Sequence, residues 1–486
     1  MKKYNLLLIV FSSLLIFSCG KSYLETAPSA SVAEGDMLNS LTGAETVLDG
    51  INRATFAFSA HDQFGQKSID YIMDCLGDDF YPTESGYGWF VSWYQWINHR
   101  NINSGNLEYV WAYYYDLINN ANLVIDNVEK MTVLTAEENK KKAILAQAYT
   151  YRGYSLYYLV QLYGENELGV PVPTKPNPGA LPRESVAKVY EQIDADLAKA
   201  AQFFTDGGSK AGRVNVSQIN KSVTMAIQAR VALTEGKWQA ASDFAKAARE
   251  GYDLSPDYMY GWNKVNSEWI WGAILIDEQQ TSYGSFFSHI DPFFGGYCTM
   301  GNHHAMPKEL FDFLPKFDTR KLLHQPELFF PKDEIDDYFL GKERVGFKFT
   351  GRYDDWTWTN DYIYIKAGEM YLIEAEAEAR LGNSVAAQTA INTLNKARTL
   401  QGEEYKDITS TGSELLNTIL MYRRAELWGD GQRFLDIKRL KEDMSGRAGQ
   451  PLAERTADIK AGDKRFTFLI PIQEMDSNSN MVQNTL

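Results

Sequence analysis

Cysteine is nearly missing from this chain: Cys19, Cys75 and Cys298 are the only three in 486 residues. That is too few for a disulfide framework, so stability must come from a packed core, which a chain of this length at 44% hydrophobic residues can build. Long hydrophobic runs are missing as well. The longest, residues 6–17, falls short of the roughly 20 residues a spanning helix needs, and no later segment approaches it. Positive charge is in deficit, with 48 Lys and Arg against 63 Asp and Glu for a net charge of −15. This balance disfavours nucleic acid and acidic lipid surfaces as partners. The six histidines, His61, His99, His289, His303, His304 and His324, show no HExxH spacing, and no CxxC or G-x-S-x-G occurs. Neither a metal nor another cofactor is expected.

What is present begins with Met1, Lys2 and Lys3, then residues 6–17, apolar except for Ser12 and Ser13, then Ser18 and Cys19. A basic start, a short apolar run and a small residue before the break describe a secretory signal peptide over 1–18. Ile16, Phe17, Ser18 and Cys19 resemble a bacterial lipobox, with Phe17 bulkier than the small residue usual there. Cys19 is therefore expected to be acylated, which anchors a soluble domain without a spanning segment. Losing Lys2 and Lys3 takes the net charge to −17. Residues 19–36 are polar and small and read as a lipidated tether; one domain is expected over 37–486.

Helical periodicity dominates the rest. "LEYVWAYYYDLINNANLVIDNVEKM" and "AEENKKKAILAQAYTYRGYSLYYLVQLYG" carry it, the second closing at Gly164. "GVPVPTKPNPGALPRES" must be an extended loop, and Ser185 is placed to N-cap the helix that follows. Aligning Gly236 with Gly382 brings Ala229 onto Ala375, Ala240 and Ala241 onto Ala386 and Ala387, Ala245 onto Ile391 and Ala248 onto Leu394. Small residues at matched positions around a turn glycine resemble tetratricopeptide hairpins, although two copies also fit ordinary helical hairpins. The expected fold is mainly α: tetratricopeptide-like hairpins near 107–250 and 362–440 form a scaffold. Loop-rich regions near 75–106 and 252–361 carry the binding surface.

With these blocks in place the chain resembles the SusD/RagB family, the surface lipoproteins of Bacteroidetes that bind nutrients for outer-membrane importers. "WAYYYDLINNANLVID", "LAQAYTYRGYSLYYLVQLYGENELGVPVP", "IKAGEMYLIEAEAEARLGNSVAAQTAINTLNKAR" and "YRRAELWGDGQRFLDIKRL", followed by the closing "FTFLIPIQEMDSNSNMVQN", carry the resemblance in order. Gly368 and residues 466–469 depart from its pattern. The resemblance implies a binding protein, not an enzyme, located at the outer membrane and exposed on the cell surface. It implies oligosaccharide capture and delivery to a SusC-like TonB-dependent transporter, acting as a hinged lid. A RagB-like peptide binder is the alternative; a surface hydrolase and a pure scaffold are further rivals.

Read as residues, Arg423 with Glu426 and Arg433 with Asp436 stand three apart and can meet on a helix face or join an interhelical ion network. "GDGQRF" lacks the third glycine and preceding strand of a dinucleotide site. Glu374, Glu376 and Glu378 splay around a helix, which keeps them from sharing one reacting atom. Aromatic surface replaces chemistry. Sugar rings stack their C–H faces on aromatic rings, and their hydroxyls need amide, carboxylate or guanidinium partners. The ligand-binding candidates are Tyr81, Tyr87, Trp89, Trp93 and Trp96, with Asp79, Asn98, Arg100 and Asn101 as polar partners; Tyr283, Phe286, Trp356 and Trp358 form a second group.

Overall fold

The computed structural model describes residues 38–260, 262–279, 283–292, 295–329, 342–350, 360–444, 447–456 and 458–486. The expected signal segment, the tether with Cys19, and Trp356 and Trp358 lie outside the described residues.

A stack of helices forms the frame: α1 (Leu41–Ala54), α2 (Gln66–Leu76), α3 (Gly105–Val128), α4 (Glu138–Tyr163), α5 (Val186–Thr205), α6 (Lys221–Glu235) and α7 (Trp238–Ala248) come first. After a long irregular stretch follow α8 (Ala367–Arg380), α9 (Ser384–Ala397), α10 (Gly412–Glu426) and α11 (Arg433–Leu440). Each of α3 to α9 packs on its successor, so the molecule grows as a solenoid of hairpins. On α3 the buried side chains Leu107, Val110, Tyr114, Leu117, Ile118 and Ala121 recur at three- and four-residue steps, the stripe its sequence predicts. From Ala143 onward α4 is buried on nearly every face, because α1, α3 and α5 all pack around it.

Local signals act as their chemistry dictates. Ser185 caps α5 by accepting from the Lys188 N–H at 3.3 Å. Gly236 and Gly382 end their helices at φ 75° and 83°, a region that favours glycine. The matched positions Ala229, Ala241, Ala245 and Ala248, and Ala375, Ala387, Ile391 and Leu394, are all buried, and α7 packs directly on α8. The second hairpin is thus stacked on the first.

The ion pairs run between elements. Arg423 meets Asp436 at 2.8 Å and Arg433 meets Asp78 at 2.6 Å, so the expected three-residue pairings within one helix do not form. Glu426 instead accepts from Arg398 and faces Lys366 and Arg320. Glu376 turns to Arg439, whereas Glu374 and Glu378 share one face and approach the same Lys246 at 3.7 and 2.7 Å. The expectation that all three glutamates diverge is corrected: four residues apart is one helical turn.

Two short antiparallel ribbons pin the irregular stretches to this frame. β2 (Trp269–Ala273) pairs with β4 (Tyr362–Lys366), which runs straight into α8; β1 (Tyr81–Pro82) pairs with β3 (His304–Ala305). The second ribbon holds the loop after α2 against the segment before β3. Cys75 and Cys298 are free and buried.

Candidate functional site

Three irregular segments meet on one surface. The turn after α1 brings Phe58 and His61, the loop after β1 brings Tyr87 and Trp89, and the segment before β3 brings Tyr283 and Tyr297. Tyr297 is central: its ring centroid lies 5.5 Å from Trp89, 5.7 Å from Tyr87, 5.4 Å from Tyr283 and 5.7 Å from His61. His61 stacks on Trp89 at 5.5 Å with 20° between planes, while Trp89 and Tyr297 are inclined by 53°. Tyr87 is 69% exposed, and Phe58 and Tyr283 are also exposed. The rings therefore make a continuous, curved apolar surface open to solvent.

Buried groups set these rings in place. The Tyr297 hydroxyl and His61 Nδ1 share a hydrogen bond at 3.0 Å. Beneath them His289 stacks on Tyr297 at 5.1 Å, and its Nε2 bonds to the His61 carbonyl at 2.7 Å. Burial pushes the His289 imidazole down to about 4, so it is neutral and donates to that carbonyl at neutral pH. The Thr83 N–H donates to the His303 carbonyl at 2.7 Å, continuing the β1–β3 pairing. Gly86, at φ 47°, lets the loop pass Asn302, whose Nδ2 donates to the Trp89 carbonyl at 3.4 Å. At the rim Glu84 pairs with Lys342 at 2.9 Å, supplying a half-exposed carboxylate and ammonium.

Of the residues expected from the sequence, Tyr87, Trp89 and Tyr283 sit in this platform. The other described candidates lie elsewhere. Trp93 is 1% exposed and packs on His99 and Phe468. Trp96 is buried against Phe434 and Phe466, its indole N–H bonded to the Leu76 carbonyl. Phe286 is buried among Phe349, Tyr362 and Lys67, and Tyr81 is buried in its ribbon, within 3.4 Å of Arg344 Nη2. Asp79, 2% exposed, is consumed by Arg424. A ring or carboxylate enclosed this way has no face left for a sugar. Asn98 begins a single helical turn that Asn101 follows, and Arg100 is spent on the Thr467 and Lys464 carbonyls. Phe58, His61 and Tyr297 are not among the expected residues; Tyr297 lies in the loop-rich region near 252–361, the one signal the sequence offers for it.

Among the described residues no group of three or more His, Cys, Asp or Glu is arranged to hold a metal ion, and no helix is long and apolar enough to cross a membrane. His304 is buried against Phe80 and bonded to the Tyr71 hydroxyl.

A helical-repeat frame that displays an arc of aromatic rings on irregular loops defines a surface ligand-binding protein. Residues 38–233 match the family model described as starch-binding associating with outer membrane, and residues 338–486 match that of the SusD family. The chain belongs to the SusD family. It is 25% identical to SusD-like protein P2 of Formosa agariphila over 527 residues, covering 100% of this chain and 99% of that protein. The fold is similar to that of a SusD-like carbohydrate binding protein from Bacteroides vulgatus, with TM-score 0.76 and 23% identity over 92% of this chain and 99% of that one. A SusD superfamily protein from Bacteroides thetaiotaomicron gives TM-score 0.77 and 24% identity over 92% and 100%.

Proposed function

We propose that this protein is a lipoprotein of the outer membrane, anchored at Cys19 and exposed on the cell surface, that captures oligosaccharide on the Tyr87–Trp89–Tyr297–Tyr283 platform. It binds and does not catalyse. It hands its ligand to a SusC-like TonB-dependent transporter by closing over it as a lid, and weak affinity suffices when lid and barrel trap the ligand together. The observation that carries this reading is the convergence of rings from three separate segments around Tyr297. Ring faces supply stacking for sugar C–H groups, and the Glu84–Lys342 pair at the rim supplies partners for hydroxyls. Membership of the SusD family and the carbohydrate binding relative from Bacteroides vulgatus support the ligand class.

Affinity electrophoresis through gels containing a panel of plant, host and microbial polysaccharides tests it. Retardation by one glycan class, abolished by Trp89→Ala and retained in a Glu403→Gln control, is the expected result. Unretarded migration across the panel would overturn it in favour of a peptide ligand.

A further inference from the structure

A second cleft, of about 440 Å³, lies on the outer side of α3, between that helix, the proline-rich loop after α4 and the segment around 471–478. One face of α3 packs inward; Glu108, Trp111, Tyr115 and Asp116 fall on another and line the cleft. Its far walls are proline rings, Pro171, Pro173, Pro178 and Pro471. The aromatic wall is rigid. The Trp111 indole N–H donates to Glu474 at 3.3 Å, the Tyr115 hydroxyl donates to the Pro171 carbonyl at 3.0 Å, and the two rings lie 4.7 Å apart. Such a cleft, apolar with a few fixed polar groups, has the make-up of a ligand site.

Charge decides what fits. Glu108, Asp116 and Glu474 line the cleft, and no Lys, Arg or His does. Glu474 is occupied by Trp111 and Asn478, whereas the Glu108 and Asp116 carboxylates make no hydrogen bond or ion pair among the described residues. Partial burial pushes the Asp116 carboxyl up, with no neighbouring cation to offset it. Eight residues along a helix separate Glu108 from Asp116 by about 12 Å along the axis and about 80° around it. An extended chain covers about 13 Å in four residues and points both ends of that span the same way. Guanidinium groups also stack on aromatic and proline rings and pair with carboxylates through a planar fork.

We infer that this cleft binds an extended peptide segment carrying two arginines four residues apart, one on Glu108 and one on Asp116, with the intervening chain against the Trp111, Tyr115 and proline walls. The inference is independent of the glycan reading, since the site is separate from the platform.

The test uses the full chain in non-ionic detergent and a fluorescein-labelled Arg-Ala-Ala-Ala-Arg peptide, followed by anisotropy at about 0.15 M salt, where exposed charges are largely screened. Saturable binding is expected. Replacing both arginines by the uncharged isostere citrulline should weaken it at least about tenfold, and so should Glu108→Gln with Asp116→Asn. Glu403→Gln with Glu404→Gln removes the same charge from an exposed loop and should leave binding unchanged, as should Trp89→Ala. No saturable binding, equal binding of the citrulline peptide, or equal loss in both double variants would overturn the inference. A neutral oligosaccharide that displaces the peptide would overturn the assignment of its chemistry.

Discussion

Asp79 separates two ways of building this site, because the sequence offers it as a sugar partner and the structure uses it as an anchor. Its carboxylate accepts from Arg424 Nε at 3.0 and 3.1 Å and from Arg424 Nη2 at 2.6 Å, with Arg433 Nε 3.5 Å away. Its carbonyl accepts from the Trp428 indole at 2.8 Å. The residue sits at the root of the loop that carries Tyr87 and Trp89. Removing one partner of a buried pair costs about 3–5 kcal/mol, and an amide that keeps one acceptor should recover part of that. Asp79→Asn is therefore expected to lose about 3 kcal/mol. If roughly 450 residues unfold together, the unfolding entropy of about 2.1 cal/mol/K per residue converts this to a fall of about 3 °C in Tm. Scanning calorimetry reads that shift, and affinity electrophoresis of the same variant reads the platform, which should retain its ligand within about threefold below the transition. A variant with unchanged Tm that loses glycan binding at least tenfold would refute the reasoning: the carboxylate would then meet the ligand, and its burial would not be the binding state.

Other perturbations distinguish core from surface. Trp93→Ala should cost about 3–5 kcal/mol in urea unfolding, as an enclosed ring does, while Trp89→Ala should change stability by less than about 1 kcal/mol; equal costs would contradict the burial assignments. Burial pushes the Glu426 carboxyl up, but Arg398, Lys366 and Arg320 outweigh it and hold it at about 2, against an ordinary 4.5. Its contribution, about 3 kcal/mol at 1.36 kcal/mol per pH unit, is complete above pH 4.5 and lost as pH falls from there towards 2. Urea midpoints measured down the acid limb should fall more steeply for the wild type than for Glu426→Gln, and parallel limbs would sink this account. Burial raises the thiols of Cys75 and Cys298 well above their usual range, so a thiol reagent should be silent on the native protein. After denaturation it should count two thiols in the membrane-derived chain; a third would mean that the Cys19 sulfur carries no lipid.

The hairpins were legible because their determinants are local. A turn glycine at 236 or 382 and small residues one helical face away act within about twenty residues of each other, so periodicity carries the fold. Ion pairs were legible only as a network. Arg433 chooses Asp78 over Asp436 because α11 packs on α2, a contact between segments more than 350 residues apart that no spacing records. The platform falls between these cases. Seven aromatics within 81–96 look equivalent in sequence, yet the chain turns sharply twice there, with Phe90 at φ 61° and Trp96 at φ 58°. Non-glycine residues enter that region at a cost and stay only where the surroundings hold them. Here Phe90 is held by Tyr71 and His289, and Trp96 by Phe434, Phe466 and the Leu76 carbonyl. Those two turns send Trp93 and Trp96 inward and leave Tyr87 and Trp89 outside, where Tyr297, from a segment some 200 residues later, completes the surface. Whether a ring of this stretch faces solvent or core depends on the backbone sign at a neighbour, and that sign is set by tertiary contacts that the local sequence does not contain.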